Sequence, residues 1–280
     1  MTLPKIPELD SFRLKTIAAA SMLVDHTAAA FPETFPLWFR AIGRLAWPLF
    51  AFLLAESFRH TKNTQALLFR LFAFGIISQV PYNLALMGTS MDRAFTQAYG
   101  LNIFFTLTLG GALAAAYAHM EKIRTGRCDR HGPENASTIR KNFTALTDNI
   151  LFVSFAGTIL LIFVHGTGIA FDYGVLGIMS IPILYMLPGK KSKLAFMAFF
   201  ALMQFGPSFT YLLESSIADR QPRAMSREAI NLLPVMALMA LATVPIAAFH
   251  NGKRGRETKW SFYIFYPAHL TALALIRIIF

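Results

Sequence analysis

Apolar stretches close to one bilayer in length recur from one end of the chain to the other, and this leaves few folds open. A helix that crosses the hydrocarbon core needs about 20 consecutive apolar residues. The stretches near 14–31, 38–58, 66–87, 101–119, 149–166, 172–187, 194–212, 230–250 and 262–280 have that character. They predict an all-α, polytopic membrane bundle of roughly nine transmembrane helices, read as a single domain over 1–280. The sixth stretch is short and contains Pro182. Composition points the same way: 55% of the residues are hydrophobic and 15% charged, against roughly 25% charged in soluble domains.

The formal charge of +11 raises the question of nucleic acid, but the basic residues fall between the apolar runs, where the positive-inside rule accounts for them. With the N-terminus cytoplasmic, the inside segments hold Lys5, Arg13 and Lys15, then Arg59 and Lys62. Lys122, Arg124, Arg127, Arg130, Arg140 and Lys141 follow, then Lys190, Lys191 and Lys193, and last Lys253, Arg254, Arg256 and Lys259. The outside segments hold only Arg40, Arg93, Arg220, Arg223 and Arg227. The expected surroundings are therefore a lipid bilayer, with no nucleic-acid partner. Residues 121–148, polar and without apolar periodicity, are expected to form a flexible basic cytoplasmic loop. The lone Cys128 in that loop excludes an intramolecular disulfide. Basic residues before the first stretch resemble a signal peptide, but Asp25 and His26 would interrupt its apolar region, so it reads as a retained span. No internal repeat of the inverted-transporter kind is visible.

That first stretch, LKTIAAASMLVDHTAAAF, carries the chemistry. An ionisable side chain inside a membrane span is costly and defaults to a functional reading. Lys15 precedes His26 by eleven residues, almost three helical turns, so both project from nearly one face about 16 Å apart along the axis. A cation at the membrane surface and an imidazole within would suit a long anionic ligand whose reactive tip reaches inward. Asp25 points about 100° away from His26 and is expected to pair with Arg44 or another basic group. Arg40 lies one turn from Arg44 on the same face. Further polar candidates for lining a substrate cavity are Asn83, Asn102, Asp172, Tyr173, Tyr266 and His269, with Gln79 and Arg277 nearby in sequence. Glu56 and His60, at i and i+4, read as an interfacial pair.

Soluble-enzyme signatures are missing: no phosphate-binding or dinucleotide glycine loop, no HEXXH, and too few cysteines for a zinc or iron site. No metal is expected. A histidine inside the membrane without a metal cluster points to general-base or nucleophilic catalysis.

The stretches LKTIAAASMLVDH, IGRLAWPLFAFLLAESFRHT, NIFFTLTLG, FDYGVLG, NGKRGR and YIFYPAHL, in this order, resemble the TraX family. Its members are integral membrane proteins associated with acetylating the N-terminus of pilin subunits. The family in turn resembles the acyltransferase-3 group, which has a basic residue some way before a histidine in the first span, and an Arg motif in the second. Lys15 and His26 match the first pattern, and Arg44 in Gly43-Arg44-Leu45-Ala46-Trp47-Pro48 matches the second. The resemblance implies that His26 is catalytic, with Asp25 and Arg44 beside it. It also implies that acetyl-CoA is the acyl donor, its phosphates held by Lys15 with Arg13, and that the protein lies in the bacterial inner membrane with a pilin as acceptor. Lys replaces the usual Arg at position 15 and binds phosphate as a point charge without a bidentate fork. Two other readings stay open: an O-acyltransferase of an envelope polysaccharide or glycolipid, and a non-catalytic pilin-handling or transport protein.

Overall fold

The computed structural model describes residues 8–87, 100–131, 138–218, 227–256 and 260–279. Lys5, Arg93, Arg220, Arg223 and Lys259 of the charge pattern lie outside the described residues. The helices are α1 (Ser11–Ala30), α2 (Phe39–Ile42), α3 (Ala46–His60), α4 (Thr64–Tyr82), α5 (Ile103–His131), α6 (Thr138–Thr167), α7 (Gly174–Met186), α8 (Gly189–Ala218), α9 (Arg227–Ala248) and α10 (Ser261–Ile279). A 3-10 turn, Gly43–Leu45, joins α2 to α3, and a π turn, Asn83–Met87, extends α4. Counting each joined set once, each apolar stretch of the sequence has its own helical segment among the described residues.

Among the described residues, five segments are long and apolar enough to cross a membrane: Phe39–His60, Thr64–Leu86, Ile103–Ile123, Thr147–Thr167 and Ser261–Ile279. Gly174–Met186 and Pro234–Ala248 are shorter apolar helices. In Thr147–Thr167 only 11% of the apolar window is buried, and Leu151, Phe155, Ile159 and Ile162 are exposed. Water would not tolerate such a face; lipid does. The protein is a helical membrane protein.

One departure from the sequence expectation concerns residues 121–148. Where a loop was expected over 121–148, α5 runs on to His131 and α6 begins at Thr138, leaving 132–137 outside the described residues. A helix needs apolar residues only where it meets lipid or core, so loss of apolar periodicity ends the apolar face without ending the hydrogen-bonded rod. The helices pack as two compact units. Recurrent apolar runs reveal that helices are buried, not which ones pair.

The first unit comprises Met1–Leu53, Ile76–Gln97 and Pro188–Phe280. Asp10 starts α1 as its cap, accepting a bond from the Arg13 amide at 2.8 Å. The helix stops at Phe31 because the residue before Pro32 is pushed out of the helical region. Its buried stripe includes Leu14, Ala18, Met22, Asp25 and His26, and the small residues let α2, the 3-10 turn, α10 and the π turn pack closely on it. Pro81 breaks the amide ladder of α4 ahead of the π turn, where Ala85 O accepts from the Arg277 guanidinium at 2.9 Å. The entry to α1 is stitched to the exit of α9. Leu9 N–H donates to Phe249 O, Asn251 N–H to Leu9 O, and Ser11 N–H to Lys253 O, each at 2.9 Å. Gly255 holds φ at 72°, and a Cβ there would overlap the Asp10 carboxylate. Glycine is thus required twice over in the NGKRGR segment.

The second unit comprises Leu54–Gly75 and Ala98–Leu187. Here α7 packs against α5 and α6. Gly110 makes the α5–α7 approach possible, since a Cβ would lie 2.6 Å from Ile178 O. Arg59 donates to Tyr185 O and Leu187 O, satisfying carbonyls at the end of α7.

Candidate functional site

Most sequence candidates meet in the first unit, around α1. Its buried face carries Asp25 and His26, 8% and 7% exposed. Being adjacent on the helix, they turn to different neighbours. Asp25 faces the 3-10 turn and His26 faces α10.

Asp25 holds two arginines. Arg40 approaches Asp25 Oδ1 at 2.9 Å and also donates to the Asp25 carbonyl at 3.2 Å. Arg44 Nη2 reaches both carboxylate oxygens at 3.3 Å, and its Nε donates to Arg40 O at 3.1 Å. The sequence points to Arg44 as partner; the structure adds Arg40, brought within reach because α2 and the 3-10 turn fold back on α1. Gly43 is what lets that turn seat. A Cβ there would overlap Cβ and Cγ of Asp25 and lie 2.8 Å from Oδ2. One carboxylate between two guanidinium groups leaves a surplus positive charge beside His26, in a low-dielectric setting where it acts strongly on any developing anion.

His26 Nδ1 lies 2.8 Å from His269 Nε2. The ring centroids are 5.1 Å apart with planes inclined by 12°, a separation close to that of the bond plus two ring radii. The rings therefore lie edge to edge and nearly coplanar, as a linear N–H···N bond requires. His269 Nδ1 in turn sits 2.8 Å from Phe265 O. Phe265 stacks on the His269 ring at 4.7 Å and 14°. Tyr266 stands edge-on to both imidazoles, at 6.0 Å from His26 and 5.5 Å from His269. His26, Phe265, Tyr266 and His269 thus form one aromatic box.

Lys15 also meets α10: its Nζ lies 5.9 Å from the centre of the Phe262 ring, within cation–π range. Lys15 and His26 therefore rest on the same partner helix, as their spacing predicts. Arg254 is close enough to Lys15 to act on it electrostatically. Arg13 is exposed and donates to Glu8 O at 3.2 Å. These residues place a cationic patch where the chain before α1 meets the segment after α9. Asn83, 2% exposed, accepts from Gln79 Nε2 at 3.0 Å within the π turn that packs on α1 and α10.

Three candidates belong to the second unit. Asn102 caps α5: its Oδ1 accepts from the Phe104 amide at 3.0 Å and its Nδ2 donates to Gly75 O at 2.8 Å. The Asp172 carbonyl accepts from the Thr106 hydroxyl at 2.8 Å. Tyr173 takes a left-handed conformation, φ 61°, immediately before α7. Among the described residues no three or more His, Cys, Asp or Glu side chains gather in a group suited to a metal ion.

Sequence reasoning missed the partnership of His26 with His269, and it overlooked Gly43 and Arg254. The signals were present: an ionisable residue in the last span, a glycine in the Arg44 motif, and a basic cluster in NGKRGR. What they lacked was any indication of which helices become neighbours.

Comparison with known proteins agrees with this arrangement of motifs. The protein named "Probable fimbrial assembly protein FimC, serogroup H1" of Dichelobacter nodosus is 28% identical over 281 residues, covering 95% of this chain and 95% of that one. No solved structure matches. The model of the family described as TraX protein matches residues 11–277. That match takes in Lys15, His26, Arg44 and His269 alike, and the chain belongs to the TraX family.

Proposed function

We propose that this protein is an acetyltransferase of the bacterial inner membrane that moves an acetyl group from cytoplasmic acetyl-CoA to the N-terminal amine of a pilin or fimbrial subunit. The observation that carries the reading is the shared face of α1. Lys15 rests on Phe262 and His26 bonds to His269, both on α10, so a cation and a buried imidazole line one path about 16 Å long. The phosphates of acetyl-CoA would be held by Lys15 with Arg254 and Arg13. The pantetheine arm would run along α1 toward His26. The fimbrial name of the D. nodosus relative and the family resemblance favour a pilin acceptor.

In the transfer, the acceptor amine attacks the thioester carbonyl and gives a proton to His26. A C–N bond forms, the C–S bond breaks, and the departing thiolate takes the proton back from the imidazolium. The carbonyl oxygen carries negative charge in between. The surplus charge of Arg40 and Arg44 around Asp25 is fixed beside this position and stabilises it without reorganisation.

The test is free-thiol release from acetyl-CoA by the purified protein in nanodiscs, beside His26→Ala, with pilin N-terminal peptides or sugars as acceptors. Peptide-dependent release, lost in the variant, together with one acetyl group on the peptide by mass spectrometry, is the expected result. Acetate found on sugar alone would move the acceptor to an envelope glycan. Absence of both thiol release and CoA binding would overturn the acyltransferase reading.

A further inference from the structure

The box around His26 contains a directional chain of hydrogen bonds, and its direction follows from one fact. Phe265 O is a carbonyl and can only accept, so His269 Nδ1, 2.8 Å away, carries the proton. In a neutral imidazole one nitrogen donates and the other accepts. His269 Nε2 therefore offers its lone pair to His26 Nδ1, also at 2.8 Å, and His26 Nδ1 must be the donor. The neutral His26 ring then keeps a lone pair on Nε2, which makes no hydrogen bond to any described residue.

We infer that His269, anchored by the Phe265 carbonyl, is a positioning residue that locks His26 in its Nδ1–H tautomer and makes Nε2 the proton-accepting atom of the transfer. This rests on the acetyltransferase reading for its consequence, though not for its geometry. In free solution a neutral histidine favours the opposite tautomer, which would aim a donor at the acceptor amine and leave it unable to take a proton. Orientation of a catalytic imidazole by a second group through its other nitrogen is a general device. Here the second group is an imidazole rather than a carboxylate, because Asp25 is committed to Arg40 and Arg44. Coplanarity of the rings and the stacking of Phe265 on His269 hold the bond in line. When Nε2 takes the proton, the charge of His26 is shared through Nδ1–H with His269, so no carboxylate need be buried in contact with the ring.

The experiment is nitrogen NMR of the full-length protein in nanodiscs with its 7 histidines labelled in the ring, His26→Gln identifying the His26 signals. In the wild type we expect His26 protonated at Nδ1 and bare at Nε2, with a coupling across the bond to His269. A wild-type His26 protonated at Nε2 would overturn the inference, whatever the activity. In His269→Ala, His26 should shift toward the Nε2–H form and kcat should fall about 100-fold, with KM for acetyl-CoA unchanged. His269→Gln, whose Oε1 can accept the same bond, should restore the Nδ1–H form and most of kcat. If Gln and Ala variants lose activity equally with both folded, His269 is merely structural and the assignment fails. A wild type without turnover but with the Nδ1–H tautomer would defeat the acetyltransferase reading and leave the hydrogen-bond chain standing.

Discussion

Asp25 holds two cations at once, so removing it should cost more than removing either of them. Its side chain is 11% exposed, that of Arg44 17% and that of Arg40 31%. In Asp25→Ala both guanidiniums lose their counter-charge. Arg40 can rehydrate, while Arg44 stays largely enclosed, and about 3 kcal/mol of destabilisation is expected from one buried charge stranded without its carboxylate. In Arg44→Ala the carboxylate keeps Arg40 at 2.9 Å. The loss is then two charge-assisted bonds of marginal 3.3 Å length and the Nε bond to Arg40 O, together about 2 kcal/mol. Arg40→Ala removes the most solvated partner and should cost about 1 kcal/mol. The discriminating protein is the double variant Asp25→Ala/Arg44→Ala. With the stranded charge gone, it should be less destabilised than the sum of the single variants by at least about 1 kcal/mol. Equilibrium unfolding in a fixed lipid–detergent mixture measures all four variants against wild type. Strict additivity, or Arg40→Ala costing as much as Asp25→Ala, would refute the picture of one carboxylate neutralising two arginines.

Other substitutions probe the remaining parts. Gly43→Ala puts a methyl group into Asp25 and should destabilise by about 2 kcal/mol on the same unfolding scale, with Gly43→Val worse. Lys15→Ala should raise KM for acetyl-CoA about tenfold with kcat little changed, whereas Lys15→Arg should bind acetyl-CoA at least as well as wild type, because it keeps the charge and adds a bidentate fork for phosphate. Asn102→Ala removes the α5 cap and a buried bond to Gly75 O. It should cost about 2 kcal/mol in thermal or denaturant unfolding while leaving kcat per folded molecule unchanged.

The features legible in the amino-acid order are those local to the chain. Membrane character, the number and placement of the helical segments, and the shared face of Lys15 and His26 all follow from apolar length and a 3.6-residue period, which neighbouring residues specify by themselves. The need of Asp25 for a basic partner follows too, since a charge inside a span must be compensated somewhere. The resemblance carried by the Arg44 motif and by YIFYPAHL points to the right helices without saying that they touch.

Everything that required two distant segments to meet was decided by tertiary packing. His26 and His269 are 243 residues apart, and any intramembrane polar residue could have faced either of them, because lipid-facing and helix-facing apolar surfaces look alike in sequence. The same ambiguity concealed the division into two units, the role of Asn102 as a cap, and the joining of the α1 entry to the α9 exit. Amino-acid order thus determined that His26 and Lys15 would sit on one face of one helix. Only the packing of α10 on α1 decided which nitrogen of that histidine is left to act, because a tautomer is set by the neighbour at the other end of the hydrogen bond.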